Sequence, residues 1–282
     1  MKLTVLGSGS PEAYARRASS GFLVEIGDDR ILFDCGGGVF DNLVRAGFRP
    51  SDITHLFLSH LHTDHMIDYP RLVHAAWDEG APPLKVWGPA PIVRQTELLF
   101  GKDGVLAPDL EARTELDASK EVWRSRGGLL PRRWPSPEVV EVEPGFSVAG
   151  EGWTLTSCAV PHAQPAFDCM AFSVETDGKK LVYSGDAARC DTLDALAQDA
   201  DLLIHWCYRL STDNLHPALV ALCPTPADIV QMAEAAGVKR LVLSHFRVHM
   251  DAPENHARAR ADLTAHFSGP IAIAEDLDTF QL

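Results

Sequence analysis

Apolar positions in this chain fall into short, β-branched blocks separated by Gly, Asp and Pro, with longer helix-spaced stretches between groups of them. Lys2–Leu6, Gly21–Ile26 and Arg30–Phe33 read as strands, with Gly27-Asp28-Asp29 as a hairpin loop between the last two. Val39–Ala46 has helical spacing and stops at Gly47. Thr54–Leu58 and Leu84–Trp87 read as strands, and a helix starts near Pro91 and runs to Phe100. Residues 101–137 mix Gly, Pro and charges of both signs without a sustained period, which predicts an insertion with some helix, acting as a lid. Strands resume at Val139–Val142, Trp153–Ala159, Ala171–Glu175 and Lys180–Tyr183, with the turn residues Thr176-Asp177-Gly178 between the last two. Asp191–Ala197 reads as a helix and Asp201–Ile204 as a buried strand. Pro226–Ala236 is a helix with Thr225 as its cap and Gly237 past its end. Lys239–Leu243 is a strand, Pro253–Phe267 a helix, and Ile271–Ala274 and Thr279–Leu282 are closing strands. Strands then helices, followed by the same order again, predict two packed sheets with helices outside. This is a four-layer α/β sandwich, αβ/βα, in one domain spanning 1–282.

Composition narrows the function. Apolar residues make up 46% of the 282 positions, enough for a large core. No run of ~18 apolar residues exists, so no membrane span is expected. The N-terminal MKLTVLGSGS has no signal-peptide character, which makes the cytoplasm the expected compartment. A net charge of −14 opposes a broad nucleic-acid surface and favours a small-molecule substrate. The six cysteines form no C-x-x-C pair, so they read as small buried hydrophobes rather than as disulfide partners, Cys158 within WTLTSCAV being an example.

The sharpest chemical signal is Ser59-His60-Leu61-His62-Thr63-Asp64-His65, directly after an apolar strand. His60 and His62 are spaced i, i+2, so an extended chain sends both to one side. Asp64 and His65 follow where the chain turns into a helix and can face a second nearby point. Imidazole and carboxylate suit Zn²⁺, and also Fe or Mn.

This H-x-H-x-D-H stretch resembles the signature of the metallo-β-lactamase superfamily. The opening LGSGSPEAYARRASSGFLVEIGDDRILFDCGGG is similar to its ribonuclease Z-like and arylsulfatase-like branch, as are LVYSGDA, LVLSHF and the closing AEDLDTFQL. The resemblance implies two divalent ions, zinc first. His60, His62 and His162 would hold one, Asp64, His65 and His245 the other, and Asp186 would bridge them. Asp34 would support the site from behind. The implied reaction is hydrolysis by a metal-bridging hydroxide. A small phosphodiester is the leading substrate, with lactones, carboxylic esters, amides and sulfate esters as alternatives, and iron-dependent oxygen chemistry as a further one. A homodimer is a family-level expectation.

Two positions depart from the ribonuclease Z branch. Trp206 stands in Ile204-His205-Trp206-Cys207-Tyr208 where that branch has Glu, and Cys223 stands in Cys-Pro-Thr-Pro where it has His. Both affect proton handling and argue against precursor-tRNA processing. The expected catalytic residues are Asp64, His205 and His249, with Tyr208 and His216 as further candidates for the leaving-group acid. His55, His74, His256 and His266 read as structural or exposed. Arg124, Arg126, Arg132 and Arg133, interleaved with Trp123 and Trp134, read either as a lid meeting an anionic or aromatic substrate or as a solvated loop face.

Overall fold

The computed structural model describes residues 1–264 and 267–282. The first sheet is built from β1 (Lys2–Gly7), β2 (Gly21–Ile26), β3 (Asp29–Phe33), β4 (His55–Phe57), β5 (Lys85–Gly88) and β6 (Glu138–Glu141). The second contains β7 (Ser147–Gly150), β8 (Trp153–Ala159), β9 (Met170–Thr176), β10 (Lys179–Tyr183), β11 (Leu202–Trp206), β12 (Leu241–Ser244) and β13 (Ile271–Ile273). The last strand, β14 (Thr279–Gln281), returns to the first sheet beside β1, giving the order β14-β1-β2-β3-β4-β5-β6 against β13-β12-β11-β10-β9-β8-β7. In each sheet antiparallel hairpins give way to parallel crossovers, at β3–β4 in the first and at β10–β11 in the second. The two sheets pack face to face through Phe22, Phe33, Phe57, Phe172 and Tyr183, with Phe33 stacked on Phe172 at 5.6 Å. Separate apolar layers join each sheet to its outer helices, which completes the predicted four-layer sandwich.

Turn and cap chemistry sets most element boundaries. Asp177 and Gly178 both take positive φ and close the β9–β10 hairpin. Thr225 Oγ1 accepts from Asp228 N at the head of the helix Pro226–Ala235, and the Asp228 carboxylate accepts from Thr225 N in return. Three elements have no counterpart in the sequence reading: β7, whose side chains are all at least partly exposed, and the helices Tyr69–Asp78 and Pro217–Leu222. The predicted helix from Pro253 is present to Thr264, while its expected continuation through 265–266, including His266, lies outside the described residues. Among the described residues no helix is long and apolar enough to cross a membrane.

The irregular stretch 101–137 contains two helices, Ala107–Glu115 and Asp117–Ser125, and packs on the helix Tyr69–Asp78. Its basic–aromatic cluster is folded on itself. The Arg132 guanidinium lies 3.7 Å from the ring centre of Trp77 and 4.3 Å from that of Trp123, and it pairs with Asp78 at 2.7 Å. The Trp77 and Trp123 N–H groups donate to the carbonyls of Arg133 and Leu129. Arg132 is therefore neither solvated nor free for a ligand.

A second ionic knot fixes the loop after β1. Buried Arg17 donates to Asp251 at 2.7 and 2.8 Å, to Glu275 at 2.8 Å and to Ser8 Oγ at 2.7 Å. Tyr14 donates to the same Asp251 carboxylate. Burial raises the pKa of Asp251, but the bonds from Arg17 and Tyr14 outweigh it and hold the carboxyl below its usual value. A depressed native pKa stabilises the fold above the unfolded value of about 3.9 and loses that contribution as pH falls through the native value. Asp251→Asn is therefore expected to lower the urea midpoint at pH 6. The gap to wild type should close as the pH falls below about 4. A gap that stays constant across this range would refute the assignment.

Candidate metal centre

Each predicted donor lies beyond the end of a strand, where side chains from both sheets converge. His60 and His62 follow β4, Asp64 and His65 lie in the short helix Thr63–Met66, His162 follows β8, Asp186 follows β10 and His245 follows β12. Backbone shape enforces the convergence. A Cβ on Gly36 would lie 2.0 Å from the Asp64 carbonyl oxygen, so only glycine lets the loop after β3 approach the His-rich turn. His245 has φ +65, a left-handed conformation held by its neighbour Phe246, whose N–H donates to the Ser8 carbonyl.

The donor atoms form three overlapping groups, His60–His62–His162, His60–His65–Asp186 and Asp64–His65–His245, with the atoms of each group within 4.8 Å of one another. His62 Nδ1 lies 3.0 Å from His60 Nε2 and 3.2 Å from His162 Nε2. His245 Nε2 lies 3.3 Å from His65 Nε2 and 3.2 Å from Asp64 Oδ2. Asp186 Oδ2 reaches both ends, at 3.6 Å from His162, 3.4 Å from His65 and 3.2 Å from His245. Donors bound at 2.0–2.1 Å around a tetrahedral ion stand about 3.3 Å apart, so these spacings fit a divalent cation. The buried Asp186 Oδ1, which has no hydrogen-bond partner, points the same way.

Electrostatics agree. Burial lowers the pKa of His60, His62 and His162, the last to about 4, so these imidazoles are neutral at pH 7 and offer lone pairs. Burial raises the pKa of Asp186, but His245 and His65 beside it outweigh that and keep it ionised. Burial lowers the pKa of His65, and the adjacent Asp186 and Asp34 carboxylates more than reverse the effect.

Asp34 sits behind the cluster, fully buried and with φ +58. It accepts from Ser59 N at 2.7 Å, Ser59 Oγ at 2.7 Å and Tyr183 OH at 2.6 Å, and it holds His65 Nδ1 at 2.7 Å. The last contact leaves His65 Nε2 facing the other donors, as an orienting carboxylate does. Tyr183 was not legible as a site residue, because it crosses from the second sheet to do this.

The other expected catalytic residues lie outside the three donor groups. His205 is buried, its Nδ1 donates to the Trp206 carbonyl at 2.7 Å, and burial lowers its pKa to about 4. His249 pairs with the Asp213 carboxylate at 3.0 Å. His216 caps the helix Pro217–Leu222. Aromatic groups flank the donors instead. Phe167, which the sequence reading missed, lies 5.2 Å from His62. Trp206 stands edge-on to His162 at 5.5 Å and to His245 at 5.6 Å, with Tyr208 beside it. The Trp206 N–H is committed to the Ala187 carbonyl at 2.6 Å, which locks the ring in place.

A family described as the beta-lactamase superfamily domain matches residues 29–246, the span that contains all seven donors. Ribonuclease Z from Mycobacterium sp. strain KMS is 31% identical over 98% of this chain and 94% of its own length. The metallo-beta-lactamase fold protein YhfI from Bacillus subtilis superposes with a TM-score of 0.75 at 22% identity, covering 99% of this chain and 98% of that one. The short form of human tRNase Z gives a TM-score of 0.68 at 20% identity, covering 100% and 99%. The structural likenesses show a shared fold, and the sequence matches carry the relationship further. The chain belongs to the beta-lactamase superfamily and is a metal-dependent hydrolase.

Proposed function

We propose that this chain hydrolyses a small phosphodiester at a two-ion centre, zinc first, and does not process precursor tRNA. The observation that carries the reading is Asp186, whose Oδ2 stands within 3.6 Å of donors from both trios. His60, His62 and His162 would hold one ion, and Asp64, His65 and His245 the other. Bound there, divalent ions supply Lewis acidity and bring the pKa of water to about 7. The chain's own part is to present neutral imidazoles, keep Asp186 ionised and fix His65 through Asp34. The ribonuclease Z relatives support a phosphodiester over the other esters.

Three features support the reading that the chain does not process RNA. Its net charge is −14. Trp206 offers no acid, because an indole N–H does not ionise in this pH range and here donates to the Ala187 carbonyl. Burial pushes the Cys223 thiol up to about 12, a poor replacement for an imidazole acid. A missing general acid costs ~10²–10⁴ in rate when the leaving group is a poorly acidic alkoxide, and little when it is a nitrophenolate. The expected result is metal-dependent hydrolysis of a bis-nitrophenyl phosphodiester, with no position-specific cleavage of a tRNA precursor under matched conditions. Chelation should abolish the ester activity and zinc restore it. Activity that survives metal removal would overturn the metal reading, and efficient tRNA cleavage would overturn the substrate reading.

A further inference from the structure

Four of the six thiols are buried as expected, while Cys158 and Cys190 are only half-buried and pack against the core. The half-exposed groups of greater consequence lie at the mouth of the metal centre. Of the seven donors, His60, Asp64, His65, Asp186 and His245 are buried, whereas His62 and His162 are half-exposed. Solvent, and with it a substrate, reaches the centre from the side of these two imidazoles.

Aromatic rings line that side in an unbroken arc. Phe167 stands edge-on to His62 at 5.2 Å, His62 to His162 at 5.0 Å and His162 to Trp206 at 5.5 Å, and Tyr208 follows Trp206 at 5.8 Å. Tyr208 also lies 5.8 Å from His245. Trp206 is buried and tied to the Ala187 carbonyl, so it backs the arc. Phe167 and Tyr208 form its two ends, and both rings are half-exposed. They supply no metal donor, and each still has apolar surface to bury beside the centre. The Arg247 guanidinium lies over the Tyr208 ring at 5.2 Å, but it is already paired with Glu12 at 2.9 Å. The arc therefore offers rings rather than free charge to whatever flanks the reacting group.

We propose that Phe167 and Tyr208 select the substrate, each holding one aromatic arm of a phosphodiester whose phosphoryl group faces the donors. The inference rests on the phosphodiester reading above and names its substrate class, diesters with planar aromatic arms in preference to saturated arms of similar size. Aromatic contacts are worth about 2- to 10-fold in affinity per ring beyond the burial that a saturated ring would also gain.

The test is a calorimetric titration of the full-length, zinc-loaded protein with diphenyl phosphate and with dicyclohexyl phosphate. The two ligands carry the same single charge on apolar arms of similar size, so the ratio of their affinities isolates the aromatic contribution. Diphenyl phosphate is expected to bind at least ~5-fold more tightly. Phe167→Leu and Tyr208→Leu should each lower that ratio, and the double variant should bring it to about 1. Phe167→Tyr and Tyr208→Phe keep their rings and should retain it. A merely structural role would weaken both ligands alike and leave the ratio unmoved. That result, or equal affinities in the wild type, would overturn the inference and leave the phosphodiester reading standing. Failure of both ligands to bind would overturn the two together. The wild-type ratio decides the substrate class even where a leucine variant fails to fold.

Discussion

Asp186→Ala should leave purified protein with one metal ion or none and reduce phosphodiester hydrolysis by more than ~10²-fold. Residues that merely support metal ligands cost about 10–100-fold in affinity or activity when removed, so loss of a donor should exceed that range. The effect is large because the lost carboxylate serves both trios. Asp186 Oδ2 faces His162 of one trio and His65 and His245 of the other, beside the direct approach of His60 to His65. Of the donors, Asp64 would then be the one carboxylate left beside five imidazoles. Elemental analysis after zinc reconstitution gives the metal count, and circular dichroism confirms that the fold persists. Wild-type metal content in the variant would refute the bridging role and, with it, the two-ion reading.

Asp34→Ala should destabilise the fold by about 3–5 kcal/mol, the range for removing one partner of a buried ionic group. The Asp34 carboxylate has no exposed surface and receives Ser59 N, Ser59 Oγ, Tyr183 OH and His65 Nδ1. Alanine would leave these groups buried without an acceptor, each costing ~1–3 kcal/mol if nothing replaces it. Position 34 also has φ +58, a conformation that favours Asn and Asp over Ala. Asp34→Asn keeps the shape and tolerates that backbone, so it should lose less stability while still misorienting His65. Urea titration separates the two variants. An Asp34→Ala midpoint equal to wild type would show that water or a shifted side chain replaces the carboxylate.

The local elements were legible because their signals are local. Strand β2 spans the predicted Gly21–Ile26, and the helix at Pro226 starts on the predicted Thr225 cap. The clustering of donor side chains in residues 59–65 was equally legible, since they lie within a few residues of one another and the strand period sends His60 and His62 the same way. The layer order followed from the alternation of strand and helix blocks. Where local signals were weak, the reading failed. β7 and the helix Pro217–Leu222 have no buried position to betray them, whereas the helix expected within 101–137 is present as two.

What the sequence determined by itself is therefore most of the elements, the sandwich and the chemical type of the donors. Only the tertiary structure decided how those donors share space, because His162, Asp186 and His245 are 97 to 185 residues from His65 or His60 in the chain (162 − 65 and 245 − 60). Only the packed sheets reveal that Tyr183 crosses from one sheet to the other to bind Asp34 and that Trp206 closes the flank of the site with its N–H already used. The same packing tied Arg132 between two indoles and turned His249 toward Asp213. Periodicity reports which face of an element a residue occupies. It carries no information on which distant face will lie opposite, and side-chain partnership depends on that second fact.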